Sequence, residues 1–188
     1  YDKILFIDGN HEHVHRYPEL IHPSEILNKL SLKKNPKLVY LPLNPYEKDG
    51  VIFIGACGWW DYFDSPELVE QDMKYFENWR GDLGVPEGKR FIDNIVSRGQ
   101  EEIDRLREMI EFYDSIDHIK TIVVVTHTVP EVEFSNHVRT EVNGKYQSLM
   151  DLSSKVKYWF FGHTHQKINK QKPKSNLKFI TNPRGRPE

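Results

Sequence analysis

Ile4-Leu5-Phe6-Ile7-Asp8-Gly9-Asn10-His11-Glu12 opens as an apolar, β-branched and aromatic run, then stops at a glycine. Beyond the glycine come an amide, an imidazole and a carboxylate. The pattern recurs twice. Ile122-Val123-Val124-Val125 leads into Thr126-His127, and Tyr158-Trp159-Phe160-Phe161 leads into Gly162-His163-Thr164-His165. Short runs of this composition read as strands, and functional groups of α/β proteins collect at the carboxyl ends of strands. Three strand ends that deliver one amide and four imidazoles predict a metal site with a proton donor beside it.

Working outward, further strands are expected at Lys3–Ile7, Leu38–Leu41, Val51–Cys57, Thr121–Thr126, Val156–Phe161 and Leu177–Thr181. Ser65-Pro66-Glu67 combines a capping hydroxyl, a proline at the first helical position and a first-turn acid. Val69, Met73, Phe76 and Trp79 then recur at helical spacing. A second helix is predicted from about Asn94 to Asp114, with Ile103, Leu106, Ile110 and Tyr113 as its apolar stripe. Gly81–Gly88 reads as a loop from its glycine and proline content, and Asn143-Gly144 as a turn. Lys167–Ser175 reads as a basic, polar hairpin or loop. Mixed strands and helices without a strict βαβ rhythm suggest layered sheets with helices outside.

Composition narrows the function classes. The 188 residues suit a single domain, 1–188, with a sizeable core. A formal net charge of -2 supplies no global basic field for nucleic acid or anionic lipid. No apolar stretch approaches the ~20 residues of a membrane span, so no membrane partner is expected. The basic run Lys167–Lys174 lacks aromatics, which argues against a dedicated nucleic-acid platform. Cys57, the one cysteine, sits in Ile54-Gly55-Ala56-Cys57 and is expected as a small buried hydrophobe. A cytoplasmic setting is compatible with a single thiol. The chain enters a strand-like run directly at Tyr1, and its true N-terminus is expected to lie upstream.

Imidazole nitrogen suits Zn, Mn, Fe, Co or Ni, and an amide oxygen suits the harder of these. In Gly162-His163-Thr164-His165 the two histidines are expected to project to one side of an extended strand end, since alternate residues point the same way. One segment could then serve two ions at the ~3.5–4 Å separation of two-metal hydrolysis.

Gly9-Asn10-His11-Glu12, Val125-Thr126-His127 and Phe161-Gly162-His163-Thr164-His165 together resemble the calcineurin-like metallophosphoesterase superfamily. Thr181-Asn182-Pro183-Arg184-Gly185 is similar to the asparagine–proline turn that follows the Gly-His-x-His hairpin there. Gly58-Trp59-Trp60-Asp61 is similar to a bacterial and phage-type branch of small phosphohydrolases. The resemblance implies a four-layer α/β/β/α sandwich, here lacking its first strands. It implies two divalent ions (Mn, Fe, Zn, Ni or Co, with Mn favoured) and a phosphorylated substrate: a small molecule, nucleotide, phosphoprotein or nucleic acid. The implied activity is hydrolysis of phosphomonoesters or phosphodiesters by a two-metal mechanism.

Carried over residue by residue, Asn10, His127 and His163 would bind one metal, and His165 the other. His11 would contact phosphate and protonate the leaving oxygen. The family's upstream Asp-x-His and Gly-Asp motifs have no counterpart in this sequence, which leaves the His165 metal with one ligand. The chain as it stands is therefore expected to be a poor catalyst. The alternative is a non-catalytic interaction module that keeps the fold without a complete dimetal site. His13 and His15 are expected at a solvated helix or loop start. Asp8 is expected either to hold a histidine or to serve the turn, and Trp59 and Trp60 to pack in the core. Arg184 and Arg186 are candidates either for phosphate contact or for a surface tail.

Overall fold

In the computed structural model, residues 2–29, 35–79, 85–135 and 142–182 are described. The apolar runs become strands β1 (Ile4–Phe6), β2 (Leu38–Tyr40), β4 (Val51–Ala56), β5 (Thr121–Thr126), β6 (Val156–Phe160) and β8 (Lys178–Thr181). Two more, β3 (Tyr46–Lys48) and β7 (Ile168–Gln171), form the edges of the larger sheet. β1 and β2 pair in parallel as a separate two-stranded sheet. The six-stranded sheet has the order β3-β4-β5-β6-β8-β7. Its four central strands are parallel, and each edge strand is antiparallel to its neighbour. Parallel strands covered on both faces read as continuous apolar runs rather than alternating ones, which explains Ile122-Val123-Val124-Val125.

The helices are α1 (Pro23–Lys29), α2 (Pro66–Trp79), α3 (Val85–Asp114) and α4 (Tyr146–Met150). One face of the large sheet, carrying Ile52, Ile54, Ala56, Ile122, Val124, Trp159 and Phe179, packs on Ile103, Leu106 and Ile110 of α3 and Leu149 of α4. On the small sheet, Phe6, Leu38 and Tyr40 pack on Ile26 and Leu27 of α1. The alternate residues turn the other way. A Cβ placed on Gly55 of β4 would lie 2.9 Å from Ile7 Cγ2 and 3.0 Å from Leu41 Cβ. Glycine is required there because the two sheets approach at that point. The layers therefore run α1, small sheet, large sheet, then α3 with α4, which is the α/β/β/α order expected from the sequence. The small sheet covers less than the helices do. Phe53, Val125, Tyr158 and Ile180 on its side are half-buried, and Phe160 is 38 % exposed.

Several expectations need correction. The second helix begins at Val85, not near Asn94, so the loop expected over Gly81–Gly88 holds at most for its first half. Residues 81–84 lie outside the described residues. Pro86 and Gly88 suggested a break, but proline is accommodated in a helix's first turn, where its missing N–H has no partner to lose. Gly88 faces α2, where a Cβ would lie 3.0 Å from Met73 Cε. Strand β3 was not anticipated. Its signal was Asp49-Gly50, the two-residue loop that joins it to β4, with φ of 53° and 76°. That pair of positive angles is what a tight hairpin demands. Lys167–Ser175 resolves into β7 and the turn into β8.

Candidate metal centre

Past β1 the chain turns at Gly9 into a 3-10 helix, Asn10–Arg16. The Gly9 N–H donates to Glu12 Oε2 at 2.6 Å, so Glu12 closes the first turn. Asn10 is thereby presented at the carboxyl end of β1. At the end of β5 the backbone of Thr126-His127-Thr128 is tied down on several sides. His127 N–H and Thr128 N–H both donate to Cys57 O, at 2.9 and 3.2 Å. Thr126 Oγ1 donates to Thr128 O and accepts from Trp159 Nε1, both at 2.9 Å. Gly162 N–H donates to His127 O at 3.0 Å, which joins the ends of β5 and β6.

Three predicted residues meet here. His127 Nε2 lies 2.8 Å from Asn10 Oδ1 and 3.1 Å from His163 Nδ1. The two imidazoles cross at 81° with centroids 5.0 Å apart. Burial pushes the His127 pKa down to about 3, and the nearby His163, His11 and His165 press it further in that direction. Asp8 opposes the shift. His127 is thus neutral at physiological pH and keeps a lone pair to offer, the form a metal requires. Donors bound at ~2.1 Å on adjacent corners of an octahedron sit about 3.0 Å apart, and His127 Nε2 stands at that spacing from both the Asn10 oxygen and the His163 nitrogen.

His11 and His165 are exposed, and both act electrostatically on His127. Among the described residues, neither brings a ring nitrogen within 4.8 Å of both His127 and His163. The strand-alternation reading of His163 and His165 is wrong in its geometry. β6 ends at Phe160, and both histidines take left-handed backbone angles, φ 66° and 54°. Such angles are uncommon for residues with a Cβ and cluster at functional sites. Arg184 and Arg186 lie outside the described residues.

Beneath lies a buried pair that the sequence reading reached only as one option, that Asp8 holds a histidine. His13 is 1 % exposed, not solvated, and Asp8 is buried beside it. His13 Nε2 is 2.9 Å from Asp8 Oδ2, Tyr40 Oη donates to Asp8 Oδ1 at 2.6 Å, and Ile21 N–H donates to His13 Nδ1 at 2.9 Å. The side chain of His15 lies outside the described residues. Asp8, His13 and Cys57 also place donor atoms within 4.8 Å of one another. They do not suit a metal. Because Ile21 donates to Nδ1, the proton of His13 must sit on Nε2, facing Asp8, where a metal would need a lone pair. Burial also holds the Cys57 thiol well above its usual pKa, and metal binding needs the thiolate.

Behind the centre, the loop after β4 carries Trp59 and Trp60, both in the core as expected. Trp60 lies 6.3 Å from the His163 ring. Glu102 of α3 reaches this loop and accepts from Gly58 N–H at 2.7 Å and Trp59 N–H at 3.1 Å. Burial first, then the charge of Asp8, raises its pKa to about 8.

A family model for calcineurin-like phosphoesterase matches residues 1–167. The chain belongs to the calcineurin-like phosphoesterase family. No curated protein and no solved structure matches it. Membership places the chain in a family of metal-dependent phosphoester hydrolases, whose substrates carry phosphate and whose cofactors are divalent ions. Among the described residues, no helix of this phosphoesterase is long and apolar enough to cross a membrane.

Proposed function

We propose that this calcineurin-like phosphoesterase hydrolyses phosphomonoesters or phosphodiesters, using ions held at the carboxyl ends of β1, β5 and β6. The observation that carries the reading is the convergence of Asn10 Oδ1, His127 Nε2 and His163 Nδ1 at 2.8 and 3.1 Å, from three separate strand ends. Asn10, His127 and His163 hold one divalent ion, and His165 lies towards a second. Mn fits the mixed amide and imidazole set. An ion bound there supplies positive charge against the phosphoryl oxygens.

The chain's own groups supply the rest. Burial keeps His127 neutral, so no proton competes for its lone pair. The backbone bonds around Thr126 and Gly162 hold the two rings in register, so little reorganisation is needed on binding. His11 follows Asn10 directly and is exposed to an incoming substrate. It is the donor of the proton to the leaving oxygen, a task suited to an imidazole near neutral pH. Its loss removes a contribution of about 10²–10⁴-fold.

The test is Mn-dependent release of nitrophenol from p-nitrophenyl phosphate and from bis-p-nitrophenyl phosphate, with Mn binding measured in parallel. Asn10→Ala and His163→Ala are expected to weaken Mn binding and turnover together. His11→Ala is expected to bind Mn normally and turn over slowly. Unchanged Mn affinity and turnover in Asn10→Ala and His163→Ala would refute the proposal.

A further inference from the structure

Beneath the centre lies a buried polar group that the proposed chemistry does not use. Its hydrogen bonds have a defined direction. Ile21 N–H donates to His13 Nδ1, so His13 is neutral with its proton on Nε2, and that proton goes to Asp8 Oδ2. Tyr40 Oη donates to the other oxygen of Asp8. Each donor in the chain Ile21–His13–Asp8–Tyr40 named here has its acceptor, and both oxygens of Asp8 are engaged. His13 also stands edge-on to Trp59, with centroids 5.1 Å apart at 74°, so its ring is packed as well as hydrogen-bonded.

What this group holds is the residue immediately before Gly9. Gly9 is pressed on the His127 imidazole. A Cβ there would fall 2.8 Å from both Nδ1 and Cε1 of that ring and 3.0 Å from Cγ. The backbone at Gly9 is therefore one wall of the slot that sets the His127 ring plane. Asp8 anchors that wall, and His13 anchors Asp8 from the middle of the 3-10 helix.

We propose that His13 is a positioning residue. Through Asp8 and the Gly9 backbone it fixes the His127 ring so that Nε2 faces Asn10 and His163. The inference rests on the metal-centre reading for its functional consequence, but not for its geometry. It also explains why a histidine sits at 1 % exposure with both nitrogens engaged, three residues past Asn10.

Two substitutions divide the roles of the ring. In His13→Gln the side-chain N–H can reach the Nε2 position and donate to Asp8, but the bond from Ile21 is lost. In His13→Asn the side-chain oxygen can take the Nδ1 position and accept from Ile21, but the bond to Asp8 is lost. Both variants of the full chain are followed by thermal melting, by the ring resonances of His127 without metal, and by Mn titration. Each loses one buried bond, so both are expected to melt earlier. Only His13→Asn is expected to shift the His127 ring signals and to weaken Mn binding, by about 10–100-fold. His13→Gln is expected to leave both within about threefold of the parent. If the two variants move the ring signals alike, or neither moves them, His13 only stabilises the fold and the proposal fails. The ring signals need no metal or activity, so a parent chain that neither binds Mn nor hydrolyses esters refutes the phosphoesterase reading separately.

Discussion

Glu102→Gln tests how the loop behind the candidate metal centre is held, and its effect depends on pH in a calculable way. The residue as a whole is half-buried, but its carboxyl lies under the backbone of Gly58 and Trp59. Its pKa is raised from 4.5 to about 8, by burial first and by Asp8 second, while the two backbone N–H groups and Arg98 pull the other way. For an acid whose folded pKa is raised, the folded chain binds more protons than the unfolded chain between the two values. Stability is therefore full below about pH 4.5, falls as pH rises and levels off above about pH 8. The slope is about 1.4 kcal/mol per pH unit, so the whole window amounts to about 5 kcal/mol. That is a large fraction of the 5–15 kcal/mol that typically holds a domain folded. A glutamine keeps an oxygen for the N–H groups and does not titrate. Urea unfolding of parent and variant at pH 5, 6, 7 and 8 measures the difference. The parent is expected to lose about 4 kcal/mol more than the variant across that range. Parallel curves, with a gap that stays constant to within about 0.5 kcal/mol, would show that Glu102 is not protonated in the folded chain.

Two further substitutions follow from glycines. Gly9→Ala drives a methyl into the His127 ring at 2.8 Å, so Mn affinity is expected to fall at least about 10-fold. Gly162→Ala places its methyl at an ordinary 3.5 Å from the same ring and serves as the control; isothermal titration with Mn compares the two. Gly58 has φ of 85°, and a Cβ there would sit 2.2 Å from Tyr146 Oη. Gly58→Ala is expected to cost about 2–4 kcal/mol by denaturation. Adding Tyr146→Phe should recover part of that loss by removing the closest contact, while the 2.8 Å approach to Thr128 Oγ1 and the backbone strain remain. Full recovery, or none, would contradict this division.

Particular residues show how far local pattern reaches. Asn10, His11, His127, His163 and His165 were legible as candidates because each follows an apolar run, and such runs become parallel strands, here of two sheets, whose carboxyl ends carry these residues. The large helix was legible from Ile103, Leu106 and Ile110. Its start was not, because Pro86 and Gly88 mean a break in isolation and a first turn in context. β3 escaped because an edge strand of three residues, Tyr46–Lys48, has no apolar run to announce it; only Asp49-Gly50 did so.

By itself, then, the sequence determined the α/β class, the order of the main strands and which residue types gather at their carboxyl ends, because hydrophobic period and strand-end chemistry are local properties. The tertiary structure decided which of the gathered residues touch. His127 lies within 3.1 Å of both Asn10 and His163, while His165 and His11 are exposed, through left-handed backbone angles and a 3-10 turn that no periodicity encodes. It also decided that Asp8 and His13 are buried and that the Glu102 carboxyl lies under the backbone of Gly58 and Trp59. A polar residue's burial depends on distant partners: Tyr40 is 32 residues from Asp8, and Gly58 is 44 from Glu102. Nothing within reach of a sequence window specifies those separations.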